Sequence, residues 1–139
     1  MFQIGRSPGE TNDIVMEDNL TVSRFACRLL VSRDPPHTTK LYAGGFNDEH
    51  FLTLNQSFQR LGSWDGFTTN GVFIRHAGPA QEWKEVSVRG GVFPHRTIRT
   101  SMEPCGDNTL HDGSLIDLGG LTFIWRNPFA RLTTPVLIN

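Results

Sequence analysis

The sequence predicts an all-β fold, an antiparallel β-sandwich, on three observations. Residues 23–32 alternate, with Phe25, Cys27, Leu29 and Val31 on one face and Arg24, Ala26, Arg28 and Ser32 mostly polar on the other. Four further short runs, 72–75, 85–88, 114–118 and 121–125, have the apolar and β-branched composition of strands. Clusters of Gly, Pro, Asn and Asp separate these runs. Many short strands with frequent turns are the signature of a sandwich rather than of a parallel α/β sheet.

In chain order, Phe2-Gln-Ile reads as a first strand that ends at Gly5-Arg6. The alternating run 23–32 is a half-buried strand, closed by Asp34-Pro-Pro36, because proline fixes the turn and cannot donate to a ladder. Lys40-Leu-Tyr-Ala then returns as its hairpin partner. One window departs from the β pattern: Phe51, Leu54, Phe58 and Leu61 fall at helical spacing with Gly62 behind them, which predicts one short helix. Gly44-Gly45, Gly90-Gly91 and Gly119-Gly120 read as turns, since none opens a helical pattern that would cradle a phosphate. Trp64, Trp83 and Trp125 are expected to pack in the core or against an appendage to it.

At 139 residues the chain fits one domain with a core large enough to fold without metal or disulfide staples. A formal net charge of −1 argues against general binding to nucleic acid or to an anionic membrane, so any anion site must be local. No signal-peptide pattern opens the chain and no apolar run is long enough to cross a bilayer, which gives the cytoplasm as the expected location. Asn19-Leu-Thr21 and Asn55-Gln-Ser57 fit the N-glycosylation pattern, but that pattern needs entry to the secretory pathway. Two cysteines, Cys27 and Cys105, are too few for a disulfide framework and read as reduced thiols, Cys27 in the core.

Catalytic and metal chemistry find little to stand on. The five histidines, His37, His50, His76, His95 and His111, show no i, i+4 pair and no ligand-spaced Cys or carboxylate, so neither a metal nor another cofactor is expected. No Gly-x-Ser-x-Gly elbow and no Walker lysine is present, so hydrolase and kinase readings are weak and no catalytic residue is assigned.

What remains is a set of polar segments that interrupt the strands: Gly5-Arg6, Ser23-Arg24 and Thr68-Thr69-Asn70-Gly71. A phosphorylated hydroxyl side chain carries about −1.5 to −2 charge and three strong acceptor oxygens. Its site needs a guanidinium with converging hydroxyl and amide donors, and these segments supply them. Taken singly, Arg6, Arg24 or Arg28 would read as a solvated charge on a strand face, and Thr69-Asn70-Gly71 as a plain hairpin turn. Their joint occurrence favours the phosphate.

In this order the segments resemble the forkhead-associated (FHA) domain, a β-sandwich that holds phosphothreonine in loops at one end. The surrounding wording, Met1-Phe-Gln-Ile-Gly-Arg-Ser-Pro8, Ser23-Arg-Phe-Ala-Cys-Arg28, Asp65-Gly-Phe-Thr-Thr-Asn-Gly71 and His111-Asp-Gly-Ser-Leu-Ile-Asp-Leu118, resembles the Pellino family, through almost the whole chain to about residue 126. The resemblance implies an FHA-type sandwich over 1–126, with insertions near 44–64 and 92–110 that pack together as a wing, and a tail over 127–139. It implies that Arg6, Ser23, Arg24, Thr69 and Asn70 bind phosphothreonine, with Gly5 and Gly71 supporting the turns. Thr68 carries no assigned role, and a small apolar notch for the γ-methyl would favour threonine over serine. Ala26 stands where many FHA domains carry a histidine, a departure that the Pellino family shares.

The family also carries a strand before the Gly-Arg strand, so residues 1–139 are expected either to leave a sheet edge exposed there or to be truncated. The functional expectation is a phosphothreonine-dependent binding module that recruits phosphorylated kinases of the interleukin-1 receptor and Toll pathway, namely interleukin-1 receptor-associated kinases. The resemblance places ubiquitin-ligase activity in a C-terminal Cys/His-rich RING-like domain, so this chain is expected to bind, as a decoy or modulator, and not to catalyse. Two alternatives stand beside it: the N-terminal fragment of a Pellino-like E3 ubiquitin ligase, or a sandwich that has lost phosphate binding and keeps an interaction surface.

Overall fold

Among the described residues, backbone amides find their partners across strands rather than within helices. The structure, a computed structural model, describes residues 1–8, 12–46, 56–60, 63–79, 81–94 and 104–127. Among them run β1 (Phe2–Gly5), β2 (Ile14–Val15), β3 (Cys27–Val31), β4 (Thr39–Ala43), β5 (Gln56–Arg60) and β6 (Ser63–Phe67). After these come β7 (Phe73–Arg75), β8 (Lys84–Val86), β9 (Val92–Pro94), β10 (Thr109–Leu110), β11 (Leu115–Leu118) and β12 (Leu121–Ile124). One sheet has the order β10-β4-β3-β1-β2, a second β12-β11-β7-β8-β9, and β5 and β6 pair alone. All pairs are antiparallel except β1 with β2. The fold is thus the all-β, FHA-type sandwich that the sequence predicts.

The expected hairpin forms as read: β3 runs into the Asp34–His37 turn and returns as β4, with Leu29 opposite Leu41 and Cys27 opposite Ala43. Alternation then decides what is buried. Cys27 and Leu29 of β3 and Leu41 and Ala43 of β4 face Ile74 of β7, Val86 of β8 and Ile116 and Leu118 of β11 in one core between the two sheets. Ile4, Val92 and Leu110 from β1, β9 and β10, with Val22, Ala26, Val72 and Val88 from the connections, complete it. Burial of such aliphatic side chains contributes roughly 1.5–3 kcal/mol each. Residues 23–26 are not part of the strand that the alternation suggested; the strand begins at Cys27, and the preceding residues make the loop that carries Ser23 and Arg24.

The sheets are also stitched by hydrogen bonds. Arg28 leans out of β3, donates to the carbonyls of Ala43 (2.6 Å) and Val88 (2.7 Å), and lies over the Tyr42 ring at 4.9 Å. Burial pushes its guanidinium below the usual arginine range, against the stabilising charges of Tyr42 and Asp65. Asp65 accepts from the Ser87 hydroxyl and from the Arg89 amide, tying β6 to the turn after β8.

Further expectations are corrected. The helix expected around 51–61 is not formed over 56–60: these residues are β5, paired in register with β6, so that Phe58 stands opposite Asp65. A few apolar residues at helical spacing do not outweigh a neighbouring segment ready to take up the backbone donors and acceptors, and an isolated helix this short is marginal. The rest of that window, 51–55 and 61–62, lies outside the described residues. Trp64 is 62% exposed rather than packed, while Trp125 is half-buried against the core.

The edge of β1 is not left open, because β2 pairs with it in parallel, Ile4 to Ile14 and Gly5 to Val15. The Asp13 carboxylate accepts the Gln3 N–H at 2.8 Å, and the Met16 N–H donates to the Gly5 carbonyl at 2.9 Å. Of the segments expected to form a wing, β5 and β6 make the separate two-stranded sheet, while β9 and β10 belong to the two large sheets. Residues 47–55 and 95–103 of those segments, and the tail from residue 128, lie outside the described residues.

Candidate functional site

The polar segments meet around Ser23. The strand β1 ends at Gly5, and the next two amides bond to the loop before β3: Arg6 N–H to the Ser23 carbonyl at 3.0 Å and Ser7 N–H to the Arg24 carbonyl at 3.2 Å. A Cβ on Gly5 would lie 2.2 Å from that Arg24 carbonyl oxygen, so only glycine permits this approach. The turn between β6 and β7 closes with a Gly71 N–H bond to the Thr68 carbonyl at 3.2 Å. Gly71 takes φ +81°, the left-handed conformation, and a Cβ there would strike the Phe73 ring. From this turn the Asn70 N–H reaches the Ser23 hydroxyl at 3.4 Å.

Side chains then follow from the backbone. Arg6 is half-buried, and its Nε donates to the Val22 carbonyl at 3.0 Å. That bond fixes the guanidinium plane and leaves both terminal nitrogens as donors for an anion. The Ser23 hydroxyl oxygen accepts from Asn70, and its own hydrogen is a further donor. Arg24, Thr69 and Asn70 are exposed. The fold therefore brings together Arg6, Ser23, Arg24, Asn70 and, through the shared turn, Thr69, with Gly5 and Gly71 in the positions that the close approaches require. Thr68, the turn residue with no role assigned, is buried beneath it. Arg28, the third arginine weighed from sequence, points instead at backbone carbonyls.

Sequence reasoning missed the groups beneath the site. Asn12 is 9% exposed, and its amide donates to the carbonyls of Ser7 (3.0 Å) and Arg24 (2.9 Å). Gln3, buried in β1, donates to Asn12 Oδ1 at 2.9 Å. No spacing rule marks such a pair.

A protein-family model described as "Pellino, FHA domain" matches residues 1–138. This chain belongs to the Pellino FHA-domain family. It is similar to E3 ubiquitin-protein ligase pellino homolog 3 of Mus musculus, with 38% identity over 99% of this chain and 37% of the relative. Similar too are E3 ubiquitin-protein ligase pellino homolog 2 of Homo sapiens, 34% identical over 97% of this chain and 39% of the relative, and protein pellino of Drosophila melanogaster, 39% identical over 91% and 37%. This Pellino-family chain thus spans less than two-fifths of the length of these curated relatives, the part that carries the FHA domain.

Among the described residues no three His, Cys, Asp or Glu side chains gather at metal-binding distance, and no helix is long and apolar enough to cross a membrane. His76 and His111 do approach, with ring centroids 5.2 Å apart. They are engaged by Asp107: His76 Nε2 bonds its carbonyl at 2.8 Å and His111 Nε2 its carboxylate at 3.0 Å.

Proposed function

We propose that this Pellino-family chain is a phosphothreonine-dependent protein-binding module. The convergence of Arg6, Ser23, Arg24 and the Asn70 turn carries this reading. Those groups offer a guanidinium oriented by Val22, a hydroxyl donor and a second exposed arginine within one loop cluster. That is the donor set a phosphate dianion requires, since charge-assisted hydrogen bonds are about twice as strong as neutral ones. In this reading Arg6 and Arg24 neutralise the phosphate, Ser23 and Thr69 donate to its oxygens, and Asn70 holds the ligand backbone.

The partners proposed are phosphorylated kinases of Toll and interleukin-1 receptor signalling, the interleukin-1 receptor-associated kinases, met in the cytoplasm. Residues 1–139 contain two cysteines in total, too few for a Cys/His-rich RING-like domain. Acting as these residues alone, the module would occupy phosphorylated kinases without ubiquitinating them, as a decoy or modulator. A second reading, the recruiting part of a longer E3 ubiquitin ligase, is favoured by the 37% share of the mouse relative that the chain covers. Cys/His-rich coding sequence downstream of residue 139 would favour the ligase over the decoy.

Fluorescence polarisation with matched phosphothreonine, phosphoserine and unphosphorylated peptides from a Toll-pathway kinase tests the module. Binding confined to the phosphothreonine peptide, and lost in Arg6→Ala, is the expected result. Equal or absent binding to all three peptides would reject it. For the decoy role, overexpression should lower Toll-pathway ubiquitination; an unchanged level would count against it.

A further inference from the structure

Beneath the phosphate site two buried amides form a chain with only one possible polarity. At one end Asn12 meets the carbonyl oxygens of Ser7 and Arg24, which can only accept, so it must present its NH2 to them. Its Oδ1 then faces Gln3, which must present its own NH2. At the other end Gln3 Oε1 accepts the Phe46 N–H at 2.8 Å, and a backbone N–H can only donate. Every atom of the relay is therefore satisfied in a single orientation, and both side chains are buried.

The contacts of Asn12 go to the backbone of the residues that flank and carry the two arginines. Ser7 follows Arg6 directly, and the Arg24 carbonyl also takes the Ser7 N–H. A Cβ on Gly5 would come within 2.9 Å of Asn12 Nδ2, so the amide fills the space where the two loops cross. We infer that Asn12, held by Gln3, is a positioning residue that clamps the Arg6–Ser7 segment to the Ser23–Arg24 segment and so sets the spacing of the two guanidinium groups before ligand arrives. Such preorganisation raises affinity by removing the ordering cost from the binding step. The inference rests on the proposed phosphate site for its meaning, but the clamp has its own observable.

The test combines the 139-residue chain, its Asn12→Ala and Asn12→Asp variants, and a phosphothreonine peptide, with amide hydrogen exchange measured alongside. Loss of the clamp's buried hydrogen bonds is expected to weaken peptide binding about tenfold in Asn12→Ala. Exchange at Ser7 should accelerate in the same variant. Asn12→Asp should be worse than Asn12→Ala at neutral pH, because a carboxylate would face two carbonyl oxygens. In an Arg24→Ala background the loss from Asn12→Ala should shrink, since one of the two positioned groups is gone.

A lower melting temperature with unchanged affinity in Asn12→Ala would make the residue merely structural and overturn the inference, as would fully additive losses in the double variant. If Asn12→Ala does not fold, Asn12→Ser, which keeps one donor, takes its place with the same criteria. If the wild-type chain binds no phosphopeptide, the reading of the site fails by itself. Unchanged Ser7 exchange in the variant would then reject the clamp, and faster exchange would uphold it.

Discussion

The Ser23 hydroxyl accepts the backbone N–H of Asn70 at 3.4 Å, across 47 positions of sequence. This bond joins the loop before β3, in one sheet, to the turn before β7, in the other, so Ser23 is both a proposed phosphate donor and the link that brings the Thr69-Asn70 turn to the arginines. Ser23→Ala is expected to weaken phosphothreonine peptide binding by about 1–1.5 kcal/mol, near tenfold, with a smaller effect on stability. Titration by fluorescence polarisation, together with the Asn70 amide shift in an NMR spectrum, checks it. An unmoved Asn70 signal in the variant would show that the two loops are not coupled through Ser23.

Arg6 and Arg28 should separate cleanly by assay. Arg6 spends its Nε–H on Val22 and keeps its terminal nitrogens as donors, whereas Arg28 is consumed by the carbonyls of Ala43 and Val88 and by the Tyr42 face. Replacing Arg6 by Ala should cost binding and little stability. Arg28→Ala leaves buried carbonyls without a charged donor and should cost roughly 1.5–3 kcal/mol of stability by urea denaturation. Its folded fraction should bind phosphopeptide nearly as well as wild type. Should Arg28→Ala abolish binding while the protein stays folded at full stability, the two assignments would have to be exchanged.

The contrast between these arginines also marks what was legible in the sequence. Alternation identified β3 and β4 because Asp34-Pro-Pro36 closes their turn, and Gly119-Gly120 did the same for β11 and β12. The strands β2, β9 and β10, of two or three residues, carry no period long enough to read, and β10 takes its place beside β4, far back along the chain. In the same way the loop residues Arg6, Ser23 and Asn70 could be named from their wording. Asn12 and Gln3, which hold those loops from below, could not, because a buried amide pair nine positions apart has no sequence signature. Phe58 was misread since its helical spacing competed with a hairpin pairing to β6, the next strand in sequence.

Acid should reveal the Asp107–His111 contact. Partial desolvation pushes the Asp107 carboxyl up, but hydrogen bonds from His111 and from Thr109 outweigh it and hold the group below the usual aspartate range. A carboxylate depressed in the folded state adds stability above its unfolded pKa, and that contribution is lost as pH falls through the folded value. His111→Ala should therefore move the Asp107 titration to higher pH and bring acid unfolding in earlier. Following the Asp107 carboxyl carbon by NMR from pH 6 downward decides the matter. An unchanged titration would mean that the exposed pair contributes nothing.

At the alkaline end the decisive group is Cys27. It is fully buried in β3 between its partners Ile4 and Ala43, and desolvation pushes its thiol from 9.0 up to about 12, against a smaller opposing effect of Arg28. The unfolded chain would ionise this thiol near 9.0 while the folded chain keeps its proton to about 12, so unfolding releases a proton in that window. Stability should then fall with rising pH by up to ~1.4 kcal/mol per unit from this group alone, and the contribution is intact below pH 9. Cys27→Ala should remove that part of the slope, at the expense of a packing loss that is the same at every pH. A thiol reagent at pH 8 should accordingly label the exposed Cys105 in the native protein and reach Cys27 only after unfolding. Equal alkaline slopes for the two chains, or native labelling of both thiols at one rate, would mean that the space between the sheets admits water where the packing of Cys27 excludes it.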